Sequence, residues 1–150
     1  MQNYVVDTNV ILANPLFTSE FEECILIIPI HVLEELDKLK SRSDNVGFRA
    51  RKFFRFFKKI EKNGNLFDGI KLENNVILKT LILKQEENLP DYFDKNYTDN
   101  KILSMLLTEN CKSYILITND ISMRVKASSL GIKTMLIDSS DKHKFGELYD

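Results

Sequence analysis

Four short runs of apolar, largely β-branched residues punctuate the chain, at positions 4–6, 25–28, 114–118 and 133–137. None alternates apolar with polar residues, so each reads as a strand covered on both faces, the condition of a parallel sheet packed between helices. Helical periodicity fills the intervals. Pro29 at a first helical position opens a helix in which Val32, Leu33, Leu36 and Leu39 recur at three- and four-residue spacing. A second helix over 46–62 carries Val46, Ala50, Phe53, Phe57 and Ile60 along one face. Thr98 can cap a third, and Asn119 a fourth that Gly131 ends.

The order is β-α-β-α-α, a middle of weak pattern, then α-β-α-β. It predicts an α/β fold, a three-layer α/β/α sandwich on a mostly parallel sheet. Residues 76–83 read as one more strand after the Asn74-Asn75 turn, whereas 84–97, with Pro90, read as a surface loop. We expect one domain over 1–138 and a tail or linker start at 139–150.

Charge is unevenly spread. The formal net charge is -1, yet residues 38–62 hold ten Lys or Arg against Asp44 and Glu61. One basic helix on an otherwise acidic body invites a polyanion at one place. No window reaches the ~20 apolar residues of a membrane span, and the start carries no signal-peptide pattern. Cys24 and Cys111 lack any pairing motif and read as reduced core residues, so the expected location is cytoplasmic. His31 and His143 have no metal-ligand spacing.

In an open parallel sheet, ligands bind beyond the carboxyl ends of the strands. The first run ends in Asp7, and the run at 114–118 is followed by Asn119-Asp120. Asp99 lies in the first turn of its helix, and Glu35 in the helix after the second strand. Carboxylates crowded at one edge raise one another's pKa, and a shared cation relieves them. Oxygen donors with no His or Cys select Mg²⁺ or Mn²⁺, which suit phosphodiester chemistry. Each acid has a structural alternative: Asp99 or Asp120 could be a helix N-cap. Glu35 lies beside the buried stripe and its neighbour Glu34 points away; Asp138 also follows a strand.

Asp7-Thr8-Asn9 after a strand, Glu35 in VLEELDKLK, Asp99 in TDNKIL and Thr118-Asn119-Asp120 before ISMRVKA together resemble the four signatures of PIN-domain nucleases. The wording around Glu35 and Asp120 looks closest to the PIN module ahead of the ATPase in PhoH-like proteins. The resemblance implies a metal-dependent endoribonuclease acting on single-stranded RNA, with Asp7, Glu35, Asp99 and Asp120 as catalytic and metal-binding residues. Asn9 and Thr118 would orient Asp7 and Asp120 by hydrogen bonds. The expected reaction is in-line attack on phosphorus by a water activated by Mg²⁺ or Mn²⁺, leaving a 5′-phosphate and a 3′-hydroxyl. Some relatives carry a further acid where this chain has Ile121 and Ser122, which leaves the number of metals open.

For RNA contact we expect Lys38, Arg49, Lys52, Arg55, Phe56, Lys59 and Arg124, cations tracking phosphates around one aromatic. The alternative is a solvated face with Phe56 widening the buried stripe. An ATPase domain or protein partner outside this chain and a homo-oligomer both stay open. So do a toxin of a toxin–antitoxin pair with the same chemistry and a non-catalytic scaffold. A phospho-receiver domain is disfavoured, because the strand ending at Pro29 offers no acceptor Asp.

Overall fold

The computed structural model describes residues 1–82, 89–94 and 96–137. The expected tail at 139–150, with His143, lies outside the described residues, as do Asp138 and part of the 84–97 loop. The described part of that loop carries turns only.

Strands form where the apolar runs predict them, longer than expected in β1 (Gln2–Val6) and β2 (Cys24–Pro29) and shorter in β5 (Ile115–Ile117) and β6 (Thr134–Met135). The weakly patterned segment becomes a full strand, β4 (Val76–Leu81), and a two-residue strand, β3 (Ile70–Lys71), precedes it. The helices are α1 (Thr8–Ala13), α2 (Ile30–Leu39), α3 (Asn45–Ile60), α4 (Thr98–Leu106) and α5 (Ile121–Ser129).

The six strands lie in the order β3-β4-β2-β1-β5-β6, and all neighbours pair in parallel except β3 with β4. From β1 the chain winds outward through β2 to β4, then crosses back to β5 and β6. Right-handed crossovers in the two directions put helices on both faces of the sheet, giving three layers, and α2 touches α1, α3 and α4. The reversal of direction falls between β1 and β5, the place where open α/β sheets bind ligands. Val6 pairs with Ile117. The Asp7 amide donates to the Ile117 carbonyl at 3.0 Å, so the residues leaving these strands emerge side by side.

The core fills both sides of the central strands. Val5, Val6, Leu26, Ile28 and Leu116 are sealed from water, as are Leu36 of α2, Phe53 of α3 and Leu103 of α4. Cys24 and Cys111 are both free and buried.

Three helix starts differ from expectation. Pro29 is the N-cap of α2 and not its first residue, because it still belongs to β2, in register with Leu81. Thr98 is the first residue of α4, after Tyr97 at the cap position. At α5 the cap is Asp120, whose side chain accepts from the Ser122 amide, while Asn119 Oδ1 accepts from Ile137 N at 3.1 Å. Gly131, with φ +77, follows α5 as expected. At the α2–α3 turn Gly47 is sterically required, since a Cβ there would lie 1.9 Å from the Arg42 carbonyl oxygen.

Candidate active site

The parallel topology brings the four acids to one edge. Asp7 follows β1 and is 3% exposed. Its Oδ1 accepts from the Thr8 amide at 2.8 Å and its Oδ2 from the Thr118 hydroxyl at 2.8 Å. The same hydroxyl accepts from the Asp120 amide at 3.2 Å, so Thr118 joins the two acids after β1 and β5. Its own burial is complete, which keeps water from competing for that bond. Glu35 is half-buried on α2, and Asp99 is half-buried in the first turn of α4, the helix that packs on α2.

Their electrostatics register the crowding. Burial pushes the Asp7 carboxyl up to about 6; Asp99 and Glu35 add to the rise, while the bonds from Thr118 and Thr8 oppose it. Asp99 is also raised, first by burial and then by Asp120, with Glu35 adding and Lys126 opposing. Asp7 and Asp99 thus each feel neighbouring acids that come from other elements. Among the described residues, no three His, Cys, Asp or Glu side chains converge on one ion-binding point. That spacing still suits Mg²⁺-like ions, which are held by one or two carboxylates and keep several waters. The donor set is oxygen only, and the buried Thr8 Oγ1 beside Asp7 has no hydrogen-bond partner. The residues present therefore fit a hard divalent cation.

Several expectations separate here. Asp120 is both a helix cap and a member of the cluster, because capping uses one carboxylate oxygen. Asp99 is no cap; it stands inside α4. Asn9 is exposed and makes no hydrogen bond to the acids among the described residues, so the orienting role expected of it rests on Thr118 instead.

The basic helix is also more structural than expected. Arg49 donates to the carbonyls of Leu12 and Ala13 at 3.0 and 2.8 Å, closing the end of α1. Arg51 likewise holds the Lys40 and Arg42 carbonyls, and Arg42 pairs with Asp44. Phe56 is half-buried against the core, as in the packing alternative for that ring. The exposed aromatic of α3 is Phe48, with Arg55 over its ring at 5.8 Å. Lys38, Lys52 and Lys59 are exposed. Arg124 is half-buried in a groove between α5 and β6 with Ile121, Val125 and Met135, and its Nε is buried with no hydrogen-bond partner.

Sequence reading missed Lys126. Its ammonium approaches Asn100 Oδ1 at 3.1 Å and influences Asp99. The one available signal was Asn100, a polar residue on the buried side of α4 next to Asp99.

The raised Asp7 makes a stability prediction. An acid bound more tightly to its proton in the folded state stabilises the fold fully below the unfolded pKa, near 4, and loses that contribution as pH rises through about 6. In metal-free protein at pH 8 the ionised group then costs up to about 3 kcal/mol. Asp7→Asn keeps the shape without the charge. Its melting temperature should exceed that of the wild type by several degrees at pH 8, with the gap closing at pH 4. A gap independent of pH would contradict the buried-charge assignment.

A sequence model of the PIN domain matches residues 4–138. Protein PhoH2 of Bacillus subtilis (strain 168) is 33% identical over 138 residues, covering 86% of this chain and 31% of that protein. Protein PhoH2 of Thermobispora bispora is 31% identical over 134 residues, covering 87% of this chain and 30% of its own length. The chain therefore spans less than a third of the length of these relatives. Among solved structures, a domain of a functionally unknown protein from Methanocaldococcus jannaschii DSM 2661 aligns over 93% of both chains, with TM-score 0.61 and 16% identity. At that identity the likeness is one of fold.

Proposed function

The chain belongs to the PIN domain family, whose members are generally nucleases that use divalent metals, and on that premise we propose that it is an endoribonuclease hydrolysing phosphodiester bonds of single-stranded RNA. The observation that carries this reading is the gathering of Asp7, Glu35, Asp99 and Asp120 around the β1/β5 edge, where the Thr118 hydroxyl bonds both Asp7 and the Asp120 amide. These four would hold Mg²⁺ or Mn²⁺. When bound, the ion supplies a nucleophile at neutral pH and offsets charge on the phosphoryl oxygens.

The chain's own groups prepare that site. Asp7 has one donor on each carboxylate oxygen, which leaves each oxygen a further acceptor position. Thr118 fixes the rotamer of Asp7 and, through the Asp120 amide, the start of α5. Buried at the meeting of β1 and β5, the carboxylate is set before substrate arrives, so no reorganisation is charged to the reaction. The exposed cations Lys38, Lys52, Arg55 and Lys59 offer a path for the RNA backbone.

In this reading the chain works in the cytoplasm, as one module of a longer protein with a companion ATPase; the much greater length of the PhoH2 relatives favours that over a free-standing toxin. No helix among the described residues is long and apolar enough to cross a membrane.

Incubating end-labelled single-stranded RNA with the purified chain should give internal cuts with Mn²⁺ or Mg²⁺ and none in EDTA. The downstream fragments should carry a 5′-phosphate. Binding of RNA without cutting under either metal would replace this reading with that of a binding module.

A further inference from the structure

Tyr97 and Lys126 stand at the border of the acid cluster, Tyr97 just before the TDNKIL stretch and Lys126 within ISMRVKA, and neither is one of the four acids. Tyr97 occupies the cap position of α4 but contributes no side-chain cap, and its ring is 59% exposed. Lys126, half-buried on α5, lies over that ring at 5.6 Å from the centroid. Its Nζ also donates to Asn100 Oδ1 at 3.1 Å. Asn100 is 2% exposed, and its Nδ2 donates to the Asp94 carbonyl at 2.7 Å, which fixes the amide with its oxygen towards the lysine.

A lysine present only to neutralise the acids would form a contact ion pair. Among the described residues Lys126 makes none, although it is close enough to influence Asp99. An ammonium has three donors, and one is committed to Asn100. So a buried amide holds a cation near the Asp99 carboxylate, with donors to spare and an exposed aromatic ring next to it. A cluster of acids repels a polyanion; a fixed cation at its border offsets that repulsion at one spot. Stacking on an aromatic ring is available to every base, and a neighbouring cation takes the phosphate.

Resting on the nuclease reading, we infer that Tyr97 and Lys126 form a nucleotide subsite of the active site, Tyr97 stacking one base of the single strand and Lys126 binding a phosphate adjoining the scissile one. The pair thus positions the strand over Asp99.

The test is binding of a fluorescein-labelled oligouridine by anisotropy in EDTA, in an Asp7→Asn background that prevents cutting. Tyr97→Leu should weaken binding roughly five- to a hundredfold, and Tyr97→Phe should keep it. Lys126→Gln should lower the slope of log affinity against log salt by about 0.7, the share of one phosphate contact on a single strand. Lys126→Arg should restore that slope. Melting curves of all four variants should stay close to the background protein. If Tyr97→Leu and Lys126→Gln bind with unchanged affinity and slope, the subsite is overturned while the nuclease reading stands. Losses that Phe and Arg fail to rescue would assign the pair a structural role and equally overturn it. If the Asp7→Asn protein binds no oligonucleotide at all, the subsite and the RNA reading fall together.

Discussion

Asp7→Asn and Asp99→Asn should each lower kcat/KM for RNA cleavage by at least about a hundredfold. The size follows from what such groups do. Removing a residue that merely orients a metal ligand typically costs 10- to 100-fold, and these two are the proposed ligands themselves. Asparagine keeps the volume and a carbonyl oxygen, so the Thr8 amide retains an acceptor and the Thr118 hydroxyl can rotate to accept instead of donate. What disappears is the charge. The Asp7 variant is therefore expected to be more stable without metal and nearly inactive with it. Packing residues do not behave in that way, since their loss lowers stability and activity together. The measurement is single-turnover cleavage of labelled RNA in Mn²⁺, beside melting curves of the same preparations. Variants that cut as fast as the wild type would trace the activity to a contaminant.

Phe53→Ala should remove about 3–5 kcal/mol of stability, which for a domain of this size lowers the melting temperature by roughly 10 °C. Phe53 is fully buried, edge-on to Phe54 at 5.4 Å and tilted to Phe57 at 6.5 Å, on the helix that packs against α1 and α2. Truncation leaves a hole that this layer of helices cannot close without moving α1, whose last carbonyls Arg49 holds. Phe48→Ala, on the exposed side of the same helix, serves as the control and should stay within about 0.5 kcal/mol of the wild type. Thermal unfolding followed by circular dichroism checks both. Equal losses from the two would mean that α3 presents a different face to the core.

Much of this was legible in the residues because a parallel sheet needs continuous apolar strands and puts polar residues at their ends. Asp7 and Asp120 could be placed on one edge from that rule alone. β4 was faint because Lys79 and Thr80 break its apolar run, and β3 is only two residues long. Cap residues slipped by one position: Asn119 is as good a cap on paper as Asp120, whereas Tyr97 takes the position before Thr98 without any side-chain cap bond. Phe56 allowed two readings for a different reason. A single stripe describes a helix packed on one side, whereas α3 meets α1, α2 and the turn that follows it, and so buries a wider arc. Arg49 could not be read as a clamp on α1, because nothing in the sequence says that residues 36 positions apart will touch. Lys126 escaped for the same reason, its partner Asn100 being 26 positions away.

The bond from Thr118 to Asp7 spans 111 positions. A polypeptide growing on a ribosome has Asp7 and Glu35 early, but it has neither the hydroxyl that sets Asp7 nor Asp120 until β5 has been made and has left the exit tunnel. As the nuclease proposed above, the chain is inert until β5 has emerged. On that reading the message being translated, the nearest single-stranded RNA to the nascent chain, is spared until the two halves of the sheet have joined.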